Sequence, residues 1–218
     1  MNEYLRWLQV IGTGLGTTFI LTVASFVIGG VLAFPLAMAR VAKNPLPRLL
    51  SSGFIAVARG IPPIAWLFVI FFGLGQLGLK LNSLTAAIFG LSVISAGYLA
   101  EIYRSGLLAV PAGQREASSA LGLASSVTLR KIIIPQAVVT VVPIAVAFFI
   151  GLLKDSAIAS VIGVQEVTAF ALALSRREAD SFGVFLAAGA LYLIISIPIA
   201  VFGRWLGPWT ARRVGVAA

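Results

Sequence analysis

A chain of 218 residues that is 60% hydrophobic, with a mean hydropathy of +1.05, exceeds the apolar content of soluble domains, about 45–50%, and is read as a membrane protein. The absence of cysteine and histidine excludes disulfides and thiolate chemistry and removes the commonest base and metal ligand. Seven acidic residues leave little material for a catalytic or metal cluster, and a net charge of +9 in so apolar a chain points to cytoplasmic loops and lipid headgroups rather than nucleic acid.

The first apolar run, residues 10–38, is much longer than a signal-peptide core of about 7–15 residues. It reads as a retained span over residues 11–39. A second span over 65–79, with a leading arm that includes residues 54–58, is irregular. The stretch Arg59-Gly60-Ile61-Pro62-Pro63 before it must break or kink a helix, because proline removes a backbone donor and restricts the residue preceding it. Further spans are expected over 84–100, 135–153 and 184–206. Each is apolar enough to approach the roughly 20 residues that a bilayer requires. The fold expected is therefore all-α, with five transmembrane helices in a single domain over residues 1–218. No internal repeat, long linker or phosphate-binding G-x-x-x-x-G-K-[ST] loop is present, so the chain carries no ATPase of its own.

Residues 156–174 are apolar except for Ser156, Ser160, Gln165, Glu166 and Thr168, and they pose the topological question. With five spans and an external N-terminus, eleven lysines and arginines face the cytoplasm and five face outside. A sixth span would change this to ten against six. Cytoplasmic loops collect positive charge, so five spans are favoured. The segment 156–174 is then expected to lie partly buried at the external face, where broken helices are tolerated.

Between the third and fourth spans lies a polar, small-residue island. Residues 116–122 read E-A-S-S-A-L-G, and nine residues later comes I-I-I-P. Two short helices hinged at Gly122 would make a docking knob for a soluble partner. Glu116 is placed in the early turns, where the helix macrodipole favours an acid by about 0.3–1 kcal/mol. Ala117 and Ala120 are small enough to let another surface approach. The bland alternative is a polar loop with chance spacing.

This island resembles the EAA loop of bacterial ABC-transporter permease subunits, with Ser118 in place of the second alanine and Ile134 in place of leucine. The resemblance extends along most of the chain. Arg59-Gly60-Ile61-Pro62-Pro63 is similar to the R-G-T-P-L of the polar amino acid permeases, the histidine-type or HisMQ family. Tyr98 to Arg104 resembles A-Y-x-A-E-I-x-R, and Pro111-Ala112-Gly113-Gln114-Arg115-Glu116-Ala117 resembles P-K-G-Q-x-E-A. Ile134-Pro135-Gln136-Ala137 resembles L-P-Q-A. The run from Lys154 to Gly163 resembles K-D-T-S-L-x-x-x-I-G, with Ser156-Ala157 standing where Thr-Ser is usual. Glu166 follows where the family has E-L.

What the resemblance implies is a MetI-like permease subunit in the bacterial inner membrane, with its N-terminus outside and its C-terminus in the cytoplasm. Its cytoplasmic EAA loop would be 111–131, with Gly113, Gln114, Glu116, Ala117, Ala120 and Gly122 meeting the ATPase. The implied partners are two ABC ATPase subunits, which bind the ATP and magnesium, an external solute-binding protein, and an amino acid as cargo. This chain would hold no cofactor or metal and would not be an enzyme. A second permease subunit, the same chain or a paralogue, is expected because five helices are too few to enclose a gated path. A secondary transporter or channel working without an ATPase is the other reading, but it would usually show inverted repeats or a charged relay.

Four residues are candidates for the substrate path. Glu101 lies within a span, three residues from Arg104, and either pairs with it at the cytoplasmic edge or faces the path. Asp155 and Ser156 either end the fourth span or border the external end of the path, where a carboxylate and a hydroxyl would suit an ammonium group. Glu166 is the fourth. Gly12, Gly14, Gly16, Gly29 and Gly30 are expected to permit close helix packing, with hinge flexibility as the alternative. The tryptophans are expected at lipid or interfacial positions.

Overall fold

The computed structural model describes residues 2–214, with the side chains of 3–212. Arg213, counted above among the cytoplasmic cations, has its side chain outside the described residues. Among the described residues every regular element is helical. The order is α1 (Asn2–Gly12), α2 (Leu15–Arg40), α3 (Pro45–Gly60), α4 (Pro63–Phe68), α5 (Leu74–Gln76), α6 (Ser83–Ala109), α7 (Ala112–Ala120), α8 (Ser125–Thr128), α9 (Ile134–Asp155), α10 (Val167–Ser175) and α11 (Ser181–Val214). Wider π turns at Val69–Gly73 and Leu129–Ile133 join α4 to α5 and α8 to α9, and a tight 3₁₀ segment, Ser156–Ile162, continues α9.

Four stretches are long and apolar enough to cross a membrane: Glu3–Arg40, Ser83–Ala109, Ser125–Ile162 and Ser181–Arg212. The fifth candidate is the broken pair Pro45–Gly60 and Pro63–Gln76, bent by 101°. The expected second span, 65–79 with a leading arm, corresponds to this pair, its main stretch falling on the latter arm. That arm is about 21 Å long at 1.5 Å per residue, too short to cross alone. The bend falls at Ile61-Pro62, where the chain turns extended, as the proline pair dictates. Asn44 caps the first arm, accepting a hydrogen bond from the Leu46 N–H at 3.0 Å.

α6 is the central post of the bundle. Ala86, Leu91 and Ile94 on it are buried with Leu21 of α2, Leu67 of α4 and Leu152 of α9. α2 lies against α6 closely enough that a methyl group on Gly29 would stand 2.3 Å from the Ser95 side chain. Small residues at such crossings let helix backbones approach. The packing reading of the glycines holds at Gly29, at Gly14 and, more loosely, at Gly30. It does not hold at Gly16, where a side chain would meet nothing, and at Gly12 only an ordinary contact would form.

Residues 156–174 form no sixth span. The 3₁₀ segment ends at Gly163 in the left-handed conformation (φ +89°), which costs glycine little. α10 then runs for only nine residues. The segment is folded into the protein: Ala159, Ile162 and Val164 join the core around α6, while Val167 and Ala171 pack with Trp7 and Ile11 of α1 and Val184 of α11. Trp7 is thus a core residue and not an interfacial one. The helix α1 was not anticipated, because its buried residues Trp7 and Ile11 are matched by residues more than a hundred positions away.

Candidate functional site

The loop between α6 and α9 is held from beneath by an apolar plug. Leu107 and Val110 at the end of α6 are buried with Ile133 and Ala137, and Ile132 and Ile134 pack against them. The I-I-I-P run is therefore a base for the loop as well as the start of a span. Pro135 has no backbone donor and its ring crowds the carbonyl four residues earlier. The π turn over Leu129–Ile133 immediately before it is the kind of local widening that absorbs such a misfit.

On this base stands one short helix, α7, opened by Pro111 and closed by Gly122 at φ +67°. The Leu123 N–H donates to the Ser118 carbonyl and the Gly122 N–H to the Ser119 carbonyl, both at 3.0 Å. This pairing satisfies the carbonyls at the helix end and needs a left-handed residue. The expected second short helix is instead the first turns of the next span, continuous from Ser125. Glu116 sits in the second turn of α7, not the first, so the macrodipole stabilisation expected for it largely falls away.

Gly113, Gln114, Glu116, Ala117, Ala120 and Gly122 are all exposed, and of α7 only Ser118 is buried. The Ser118 hydroxyl donates to the Gln114 carbonyl at 2.6 Å. Added side chains at Gly113 and Gly122 would meet nothing within 4 Å. The six predicted coupling positions thus contribute little packing to their own subunit. They form a free knob carried on a rigid base.

Of the four path candidates, Ser156 and Glu166 both lie against the Tyr192 hydroxyl and Asp155 directly precedes Ser156, while Glu101 has a separate set of partners. Glu101 has both oxygens occupied, accepting from Arg40 Nε at 3.3 Å and from Arg104 Nε at 2.7 Å. The Arg104 partner was expected from spacing. Arg40, at the end of α2, was not, because the contact spans 61 residues. One turn above, the Arg59 guanidinium lies over the Tyr98 ring, 4.8 Å from its centre, a cation–π contact. Arg40, Arg59, Tyr98 and Glu101 line a cleft of about 410 Å³.

Ser156 is wholly buried, with its hydroxyl donating to the Leu153 carbonyl at 2.7 Å. Glu166 is also wholly buried. It caps α10, accepting from the Ala169 N–H at 2.7 Å, while its other oxygen accepts from the Tyr192 hydroxyl at 2.7 Å. Burial pushes its carboxyl above the usual carboxylate range, against the pull of hydrogen bonds from Thr168, Tyr192 and Ala169. The backbone beside it is pinned too: the Val167 N–H donates to the Thr18 hydroxyl at 3.3 Å, and a methyl on Gly14 would fall 2.5 Å from the Glu166 carbonyl carbon. In this conformation Ser156 and Glu166 are closed to solute, and both serve the fold. Asp155 alone, at the last turn of α9, is exposed with no hydrogen bond or ion pair on its carboxylate among the described residues.

Residues 25–212 match a family described as binding-protein-dependent transport system inner membrane component. The chain is similar to the probable amino-acid ABC transporter permease protein YckA of Bacillus subtilis, with 34% identity over 87% of this chain and 84% of that protein. It is 34% identical to the octopine transport system permease protein OccM of Rhizobium radiobacter over 92% of this chain and 86% of that one. Among solved structures it resembles an amino acid ABC transporter crystallised with histidines, with a TM-score of 0.88 and 30% identity over 94% of this chain and 96% of that one. A chain of the inward-facing MetNI methionine ABC transporter superposes with a TM-score of 0.81 and 25% identity, covering 96% and 99% of the two chains.

Proposed function

The chain belongs to the binding-protein-dependent transport system inner membrane components, the permease subunits of ABC importers, and from that premise we propose that its cargo is a polar amino acid. The observation that carries this reading is that a relative and a solved chain of similar shape are both named for amino acid transport, together with the exposed α7 knob. A secondary transporter or channel is not favoured, since neither would need such a knob.

In this reading a binding protein delivers the amino acid from outside, and separate ATPase subunits bind ATP and magnesium within the cell. This chain performs no catalytic step. α7 is received by the ATPase. Its motion passes through the Leu107–Ile133 plug to α6 and to the long helix beginning at Ser125, opening the path alternately to the two sides. A second permease copy or paralogue completes the path. The N-terminus lies outside and the C-terminus inside, as the arginine and lysine distribution favours. Gly113, Gln114, Glu116, Ala117, Ala120 and Gly122 form the coupling surface, and Asp155 is the foremost candidate to meet the substrate ammonium at the external end.

Reconstitution into liposomes with its ATPase and binding protein tests the assignment. Uptake of a radiolabelled amino acid that requires both partners and internal ATP is expected. Uptake driven by an ion gradient without ATP would overturn it.

A further inference from the structure

The α2–α3 corner carries a feature that coupling and transport leave unexplained. Arg40 ends α2, and Arg48 lies in the first turns of α3. Together with Pro45, Leu46, Leu49 and Ser52 they line a cleft of about 480 Å³. Arg40 and Ser52 are shared with the adjoining cleft that holds Arg59 and Glu101. Glu101 is the sole carboxylate among the residues lining the two clefts, and both its oxygens are already engaged. Among the described residues, no carboxylate lies within ion-pair distance of Arg48 or Arg59. The corner therefore has a surplus of positive charge.

Its apolar side is equally uncovered. α3 buries Ser51, Ile55 and Ala58 against the bundle. Leu46 and Leu49 remain 62% and 71% exposed. Guanidinium groups beside exposed leucines, at the end of a membrane helix, present two chemistries at once. A phosphate diester satisfies the first and an acyl chain the second, and these belong to one molecule when the ligand is a phospholipid. Basic pockets between helices at a membrane face are suited to anionic headgroups, and arginine meets phosphate with a planar pair of donors.

We propose that the α2–α3 corner is a binding site for one anionic phospholipid, its phosphate held by Arg40 and Arg48 and an acyl chain laid against Leu46 and Leu49. The site needs only that the chain sits in a bilayer, and it does not depend on which solute is carried. Occupied, it ties the end of α2 to the start of α3. A lipid there would brace the arm that leads to the 101° bend.

Native mass spectrometry of the assembled transporter, delipidated and titrated with dioleoyl phosphatidylglycerol or dioleoyl phosphatidylcholine, tests this. Retention of a single saturable phosphatidylglycerol per copy of the chain is expected, several-fold above phosphatidylcholine. Arg48→Gln and Leu49→Asp should each lower that retention several-fold. Arg48 is the better test than Arg40, because replacing Arg40 also breaks an ion pair with Glu101. Inorganic phosphate at the same concentrations should not displace the lipid. Displacement would reduce the corner to a simple anion site and overturn the lipid assignment. Equal retention of the two lipids, unchanged retention in both variants, or no retention because a partner subunit covers the corner would each overturn it as well.

Discussion

The Tyr192 hydroxyl donates to Glu166 Oε2 at 2.7 Å, and this bond ties the last span to the cap of a nine-residue helix that never crosses the membrane. The same carboxylate holds the Ala169 N–H with its other oxygen, so a wholly buried acid is satisfied on both sides. A buried polar group is tolerated only when its bonding capacity is met. Glu166 therefore fixes the start of α10 against the last span after the chain has turned at Gly163.

Removing the tyrosine hydroxyl takes one donor from the buried Glu166 carboxyl, which keeps Thr168 and Ala169, and strips the Thr168 hydroxyl of its 3.2 Å contact. Such a loss costs about 1–3 kcal/mol. Tyr192→Phe is expected to lower the thermal midpoint of the purified transporter while leaving ATPase co-purification intact. An unchanged midpoint would show that water replaces the hydroxyl.

Glu166 also sets a pH dependence. Its folded carboxyl lies above the ordinary 4.5, with burial as the leading cause. Folding therefore favours the protonated form. Its contribution to stability is whole below the unfolded value and is lost as pH rises through the folded one. Thermal midpoints measured upward from pH 4.5 should show this falling component in the wild type and lack it in Glu166→Gln. Parallel pH curves for the two proteins would remove Glu166 as its source.

The knob on α7 can be tested without disturbing its base. Glu116 is exposed, so Glu116→Lys alters surface charge alone. Gly122 needs its left-handed backbone (φ +67°) but has open space around it. A leucine there incurs about 1–2 kcal/mol of backbone strain, whereas asparagine tolerates that conformation better. Glu116→Lys and Gly122→Leu should leave the protein in the membrane, lose the ATPase on purification and abolish most uptake. Gly122→Asn should recover part of both. Full co-purification and uptake in the first two variants would detach this loop from coupling.

Much of this was legible in sequence because it is local. The proline pair after Arg59 announced the bend, Gly122 announced the end of α7, and three-residue spacing announced the Glu101–Arg104 contact. Contacts between distant residues left no such trace. Tyr192 stands between leucines in an apolar span and gives no sign of its partner 26 residues earlier. Thr18 meets Val167 across 149 residues. Glu166 and Ser156 looked like path residues because polar groups in apolar runs invite that reading. Their burial and their bonds to Leu153, Ala169 and Tyr192 in this conformation are what only the folded chain reveals.

The orientation is accessible to labelling, because the chain has no native cysteine. Cysteines placed singly at Lys80 and Arg177 should react with an impermeant maleimide added to intact cells. Those at Lys43 and Ser125 should react only after permeabilisation. A cysteine at Arg213, on the backbone of α11, should likewise react only after permeabilisation. External reaction at Ser125 would invert the topology and place the α7 knob out of reach of any ATPase.

Asp155 is the one path candidate whose carboxylate takes no hydrogen bond or ion pair among the described residues. Glu101 is engaged by two arginines and Glu166 by Ala169 and Tyr192. Asp155 closes α9 with its carboxylate exposed and without a bonded partner among the described residues. Lys154 beside it is exposed as well, and its charge acts on the Asp155 carboxylate without an ion pair forming. A carboxylate at the mouth of a membrane path attracts an ammonium and can yield it again, provided no fixed cation competes too closely. Asp155→Asn keeps the shape and removes the charge. It is expected to lower uptake at least several-fold while assembly with the ATPase persists. Ser156→Ala serves as the contrast, because that hydroxyl is buried on the Leu153 carbonyl and faces no solute. Its loss should leave uptake close to wild type. Normal uptake by Asp155→Asn across a range of substrate concentrations would assign the acid to ending the helix. A strong defect in Ser156→Ala with none in Asp155→Asn would mean that the backbone turn after α9, and not the charge, governs the external mouth.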